Sequence, residues 1–193
     1  ARSIYTGFVE WHKGENPDGM DSHATPLTLA WPDFRIAIVK VHTKPKTVDS
    51  RAGMQRTVTS AALYQAWPDQ AARDLGILKQ AIHTQDFSAL GQTAEHNALS
   101  MHATMIASQP PLLYWLPESV ALMQRVWTAR NAGLEVYFTM DAGPNIKLLF
   151  LGESTEDVRA TFPELAASDV IAPFDPAMTA PSQAAFDQAK PGT

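Results

Sequence analysis

Cysteine and long apolar runs are absent from this sequence of 193 residues. Without cysteine the chain can form no disulfide, no thiolate zinc site and no cysteine nucleophile. No apolar run approaches the roughly 20 residues that a membrane-spanning helix needs, and the start of the chain lacks the regions of a signal peptide. We therefore expect a cytoplasmic protein with no membrane partner, whose chemistry depends on carboxylates, histidines, hydroxyls or bound cofactors.

Short motifs for nucleotides, metals and serine nucleophiles are also missing from the sequence. There is no GxGxxG or GxxxxGKS loop to hold phosphates, no HExxH pair and no GxSxG elbow. His96 and His102 are six residues apart, which places them on different faces of a helix, so we expect His102 to be structural. The sequence predicts neither a metal site nor a nucleotide site of its own.

Charge is sparse and unevenly distributed along the chain. The formal net charge of −5 argues against a nucleic-acid partner, because nucleic-acid-binding domains usually carry a large basic face. Residues 40–56 are different, since their five basic residues face a single acid, Asp49. These basic residues are Lys40, Lys44, Lys46, Arg51 and Arg56. A local basic site in an acidic protein predicts a small anionic ligand.

Helical and strand-like patterns alternate along the chain and predict an α+β fold, with helices covering one face of a mainly antiparallel sheet. Residues 34–42 have the apolar character of a buried strand, and two more strands flank the turn sequence DAGPN. Pro68 is expected to break a helical run. Helices are predicted at residues 52–67, 70–84, 86–108, 117–130 and 154–165, and a last strand at residues 168–174.

The opening residues predict a helix already under way, with Ile4, Phe8 and Trp11 at helical spacing and Gly14 as its end. Because this helix has no N-cap and the chain has no initiator methionine, we expect the sequence to begin inside a larger protein. A subdomain boundary is predicted near Trp31 to Asp33.

The segment VDSRAGM is the first candidate site, because it opens a predicted helix. A helix N-terminus presents unpaired backbone N–H groups and the positive end of its dipole to an anion, and Ser50, Arg51 and several lysines surround this one. A phosphate or diphosphate would fit there. The alternative is that Ser50 or Asp49 only caps the helix and the basic side chains lie in solvent.

Asp141 is the second candidate, because it follows a predicted strand and enters a Gly-Pro turn. Such a turn can hold a carboxylate in place at a sheet edge for proton transfer or for orienting a substrate. The alternative is an ordinary turn aspartate, which spacing alone favours.

Several segments together resemble the bacterial type of mevalonate diphosphate decarboxylase, and they occur in that family's order. They are ARSIYTGFVEW, VDSRAGMQRTVTSAALYQAW, the DF of QDFSALGQTAEHNALSMHAT, PPLLYWLPES and YFTMDAGPNIKLL. The family belongs to the superfamily of galactokinase, homoserine kinase, mevalonate kinase and phosphomevalonate kinase. The resemblance raises both candidate sites above their alternatives.

The resemblance implies a domain arrangement and a set of partners. Residues 1–33 would be the end of an N-terminal ATP-binding domain, residues 34–173 a ferredoxin-like C-terminal domain and residues 174–193 a peripheral tail. ATP and Mg²⁺ would be bound mainly by the N-terminal half of the same enzyme, which this chain lacks. The chain alone is therefore expected to be inactive, and the enzyme to be a homodimer.

The resemblance also implies roles for four residues in converting mevalonate 5-diphosphate to isopentenyl diphosphate. Arg2 matches the arginine beside the substrate carboxylate, and Ser50 and Arg51 match the pair on the side of the diphosphate. Asp141 matches the carboxylate that orients or deprotonates the tertiary hydroxyl for attack on the γ-phosphate of ATP. The phosphate formed then leaves, and loss of CO₂ gives the product.

Three alternatives remain open at this point. The enzyme could decarboxylate mevalonate monophosphate, or it could phosphorylate the tertiary hydroxyl without decarboxylation, as a mevalonate 3-kinase does. The third alternative is an inactive ligand-binding fragment.

Overall fold

The computed structural model describes residues 5–41 and 50–174. The strands in these ranges are β1 Val9–His12, β2 His23–Pro26, β3 Phe34–Val39, β4 Tyr137–Thr139, β5 Ile146–Leu151 and β6 Val170–Ile171. The α-helices of the same ranges are α1 Ser50–Ser60, α2 Trp67–Thr84, α3 Phe87–Ile106, α4 Pro117–Asn131 and α5 Thr155–Thr161. None of these helices combines the length and the apolar character of a membrane span.

The chain divides into two compact units, and the smaller one comprises Ala1–Phe34 together with Ala172–Thr193. Within it, β1 and β2 form an antiparallel pair in which Val9 lies opposite Pro26. The assignment of residues 1–33 to an ATP-binding domain and of residues 174–193 to a tail stays a prediction.

The helix predicted for the opening residues is wrong, because the chain forms strand β1 there. Gly7 has a φ of 72°, which interrupts any helix that would include it. The next residue, Phe8, packs its ring at centroid distances of 5.5 Å from Phe34 and 4.9 Å from Phe174. Strand pairing and aromatic packing with residues distant in the sequence therefore override a helical spacing that rests on three apolar positions.

The larger unit, Arg35–Ile171, contains most of a four-stranded sheet in the order β4-β5-β3-β6. The pairs β4 with β5 and β3 with β6 are antiparallel. Ile146, Leu148 and Phe150 alternate along β5, are fully buried and belong to one core cluster. Their helical partners in the cluster include Ala98, Leu122, Met123, Val126, Val158 and Phe162. This mixture of helices and antiparallel strands confirms the predicted α+β class.

The predicted helical run through residue 67 is also corrected, because it is divided in two. Helix α1 ends at Ser60, a short 3-10 helix covers Ala62–Ala66, and α2 already begins at Trp67. Pro68 thus lies in the first turn of α2, where its missing N–H costs no hydrogen bond, and does not end a helix.

A buried polar network joins α3, α4 and β4. The Glu95 side chain is 8% exposed, and its carboxylate lies 2.5 Å from Nη1 of Arg130 and 2.7 Å from Nε1 of Trp127. The Arg130 guanidinium also lies 4.4 Å from the ring centroid of Tyr137. Hydrogen bonding to Glu95 raises the pKa of Arg130 above its ordinary value. Since buried charges require partners of this kind, the network fixes how the two helices meet the sheet.

Candidate active site

Asp141 lies in the turn that connects β4 to β5. Thr139 and Lys147 are opposite each other in the antiparallel register, so residues 140–146 form the connection between them. Gly143 in this connection has a φ of 69°, a left-handed conformation that favours glycine. The side chain of Asp141 is 83% exposed. The sequence pattern therefore predicted the turn, and the structure adds that the acid is exposed there.

Hydrogen bonds from two helical side chains and from one side chain of the turn itself hold this turn in place. Nε2 of His102, in α3, donates to the backbone oxygen of Asp141 at 2.7 Å, which fixes the tautomer because a carbonyl only accepts. Ser119, in α4, is fully buried and donates to the backbone oxygen of Pro144 at 2.8 Å. Asn145 accepts from the backbone N–H of Val41 at 2.9 Å. The turn is thus anchored on three sides.

His102 has the structural role that its sequence position predicts, since it is 1% exposed and packs 5.2 Å from the ring centroid of Trp115. The roles of Ser119 and Asn145 in holding the turn were not predicted from the sequence. An indication exists for Ser119, which is the third residue of α4, the position from which a polar side chain can accept from the N–H of the N-cap residue. Its Oγ does accept from the N–H of Leu116 at 3.2 Å.

The Asp141 carboxylate forms an ion pair on the solvent side of the turn. Its Oδ2 lies 2.6 Å from Nζ of Lys147, whose side chain is 31% exposed. Both residues line an open pocket of about 250 Å³, together with Ile38, Gly143 and Asn145. Sequence reasoning missed Lys147, although it is the only charged residue in the otherwise apolar strand IKLLFL.

The other candidate site lies at the beginning of α1. Ser50 is the first residue of this helix, and both Ser50 and Arg51 are exposed there. Residues 42–49, which include Lys44 and Lys46, lie outside the described residues, as does Arg2. The exposed N-terminal turn has the geometry that suits an anion, and the identity of its ligand stays a prediction.

Tyr114 contacts both candidate sites. A Cβ atom built on Gly53, in the first turn of α1, would lie 2.4 Å from the Tyr114 hydroxyl, so the hydroxyl rests against that glycine. A Cβ atom built on Gly143 would lie 3.5 Å from the backbone oxygen of Tyr114. The proline-rich segment that carries Tyr114 therefore packs against the start of α1 and against the turn of Asp141, which brings the two predicted sites to one region of the larger unit.

One member of the basic stretch serves the fold. Nζ of Lys40 lies 2.5 Å from Oδ1 of Asp169, and this bond ties the end of β3 to the residue before β6. The Lys40 ammonium lowers the pKa of Asp169 below its ordinary value. Lys40 is therefore a structural residue here, and the prediction of an anion site rests on the other basic residues of the stretch.

Comparisons with known proteins identify the family of this chain. Residues 36–185 match the family described as the mevalonate 5-diphosphate decarboxylase C-terminal domain. The chain belongs to this family. Members of the mevalonate diphosphate decarboxylase family are also found when whole chains are compared, so the resemblance inferred from the segments is confirmed.

Among these relatives, the diphosphomevalonate decarboxylase of Bos taurus is 33% identical over 172 residues, which are 84% of this chain and 43% of the relative. A solved structure concerns mevalonate diphosphate mediated ATP binding by the decarboxylase from Enterococcus faecalis. It is 35% identical, with a TM-score of 0.78, over 88% of this chain and 51% of that one. A second solved structure is that of MDDEF in complex with MVAPP, AMPPCP and magnesium. It is 36% identical, with a TM-score of 0.80, and the match covers 88% of this chain and 52% of that one. The chain thus spans about half the length of the decarboxylases that it matches.

Proposed function

We propose that this chain acts as the C-terminal half of an enzyme that converts mevalonate 5-diphosphate to isopentenyl diphosphate with ATP. ADP, phosphate and CO₂ would be released. The observation that carries the proposal is the placement of Asp141. Its carboxylate is exposed and lines a pocket, while its backbone oxygen is held by the buried His102. A rigid support with an available carboxylate is what positioning a substrate hydroxyl requires.

Asp141 would act on the tertiary hydroxyl of the substrate. One carboxylate oxygen accepts the hydroxyl proton while the hydroxyl oxygen attacks the γ-phosphorus of ATP, and ADP leaves. The tertiary C–O bond then breaks, and its electron pair leaves with the phosphate. The bond to the substrate carboxylate breaks next, its electrons form the new double bond, and CO₂ is released. In this reaction the protein mainly holds groups in place and moves one proton.

The anionic parts of the substrate would bind to basic and N–H groups. We assign the diphosphate to the N-terminus of α1, where Ser50 and Arg51 lie, because helix N-terminal N–H groups and a guanidinium both suit phosphate oxygens. Arg2 is assigned to the substrate carboxylate, on the strength of the resemblance alone.

ATP and Mg²⁺ would be bound mainly by residues outside this chain. The part of the chain that the structure describes contains no group of three histidine or acidic side chains that could hold a metal ion, so we assign no metal ligand there. We propose that an N-terminal half binds ATP with its Mg²⁺. A cytoplasmic homodimer is part of the same proposal.

The reaction can be tested in a complete protein that carries this chain, by following CO₂ release and product formation from mevalonate 5-diphosphate, ATP and Mg²⁺. Mevalonate monophosphate as substrate tests the related decarboxylase, and phosphorylation without CO₂ release would indicate a 3-kinase. If mevalonate 5-diphosphate is not decarboxylated, the proposed function is wrong.

Replacing Asp141 by asparagine tests its role. Asn keeps the size and suits the turn but cannot accept the proton, so we expect kcat to fall by about 10²- to 10⁴-fold with a smaller effect on KM. The melting temperature should stay near that of the parent, because the exposed carboxylate contributes little to stability. A near-normal kcat would remove Asp141 from the catalytic residues.

A further inference from the structure

Lys147 occupies an unusual place for a charged residue. It is the second residue of β5, and its neighbours Ile146 and Leu148 are fully buried in the core. Because side chains alternate along a strand, Lys147 points away from the face that those two residues form. It lies opposite Thr139 in the register, so its long side chain can reach along the hairpin to the turn. The strand therefore delivers a cation to the edge at which Asp141 lies.

The contact between Lys147 and Asp141 joins specific atoms. The ammonium Nζ lies 2.6 Å from Oδ2 of the carboxylate, while 83% of the Asp141 side chain is exposed. Among the residues that the structure describes, Lys147 is the side chain to which this carboxylate is hydrogen-bonded. Oδ1 is therefore available for a ligand in the pocket that both residues line.

We propose that Lys147 is a positioning residue that acts through Asp141, an inference that rests on the proposed function. By bonding Oδ2, the ammonium selects one orientation of an otherwise unrestrained side chain and presents Oδ1 to the substrate hydroxyl. It also offsets the negative charge of Asp141, so that a substrate carrying a carboxylate and a diphosphate can approach the acid. Because the Asp141 side chain is exposed, this ion pair contributes little to the stability of the fold. Its effect is on the orientation of the carboxylate and on the charge around it.

The test uses the complete protein and three single variants, measured for kcat, KM and melting temperature. Lys147→Met keeps an apolar stem of similar length without the charge, and we expect kcat to fall by about 10-fold or more. Lys147→Arg keeps a cation and should recover most of the lost activity. Lys79→Met, on the exposed side of α2, makes the same change away from the site and should leave kcat unchanged. All three proteins should melt close to the parent.

A double variant decides whether Lys147 acts through Asp141. In the background of Asp141→Asn, adding Lys147→Met should lower kcat by less than about 3-fold, because the group that Lys147 positions is already disabled. A loss as large as in the parent background, or one seen mainly in KM, would mean that Lys147 contacts the substrate itself and would overturn the proposal. Unchanged kcat in Lys147→Met would also overturn it. The parent's turnover is measured separately, so failure of the proposed function is recognised by an inactive parent.

Discussion

Two carboxylate–cation pairs in the larger unit have nearly the same contact distance and opposite surroundings. Glu95 lies 2.5 Å from Arg130 and Asp141 lies 2.6 Å from Lys147, yet the exposed fractions of the two acidic side chains are 8% and 83%. The distance between the charges thus says little about what each pair does. The difference lies in the other partners of each carboxylate and in its access to solvent.

The two carboxylates differ in how many hydrogen-bond donors they contact. Both oxygens of Glu95 accept hydrogen bonds, from Arg130, from Trp127 and from the backbone N–H of Phe138. A carboxylate in that state has no oxygen left for a ligand, so its role is structural. Asp141 has one oxygen bonded to Lys147, is 83% exposed and lines a pocket, which suits it to bind or to move a proton.

The largest expected stability effect is at the buried pair. In Glu95→Ala, the N–H groups of Arg130 and Trp127 lose their buried acceptor, and we expect the free energy of unfolding to fall by about 3 kcal/mol. The matched change Asp141→Ala should cost less than about 0.5 kcal/mol. Denaturant unfolding of the two variants measures both values, and similar losses would break the distinction between the pairs.

A second stability prediction concerns the ring beside the buried pair. A Cβ atom on Gly91, in α3, would lie 2.1 Å from the Tyr137 ring, which packs against Arg130 and Phe87. Gly91→Ala should therefore destabilise the protein by about 1–3 kcal/mol despite the better helix propensity of alanine.

Gly76 provides the control for this substitution. It lies in α2, where an added Cβ atom meets open space, so Gly76→Ala should stabilise the protein by up to about 1 kcal/mol. Thermal unfolding of both variants tests the pair of predictions. Stabilisation by both would show that Tyr137 can move away, and that the network around it is less rigid than its contacts indicate.

The last expected effect is on substrate binding and not on stability, and it concerns Arg51, which like Asp141 is exposed. In the complete protein, Arg51→Ala should raise the KM for mevalonate 5-diphosphate about 10-fold, equivalent to about 1.4 kcal/mol, with little change in kcat or in melting temperature. Arg73→Ala, an exposed arginine of α2, is the control for the loss of a positive charge. Unchanged kinetics in Arg51→Ala would mean that the start of α1 binds no substrate and that its polar residues only cap the helix.

Much of the fold followed from local patterns in the sequence. Helices α2, α3 and α4 were predicted within a few residues of their observed bounds, because the residues that begin, continue and end a helix are local signals. The turn of Asp141 followed in the same way from its glycine and proline. The opening segment was predicted wrongly because its three apolar residues fit a helix, while strand β2 and distant phenylalanines decided its conformation.

The sequence by itself determined the α+β class, the family and the position of Asp141 in a turn, since each is read from short segments whose residues are neighbours in the chain. Only the tertiary structure decided which acid is buried and which is available. Glu95 meets its partners 32 to 43 residues away, and Lys40 meets Asp169 across 129 residues. Burial and charge pairing are sums over such distant contacts, so no local pattern specifies them.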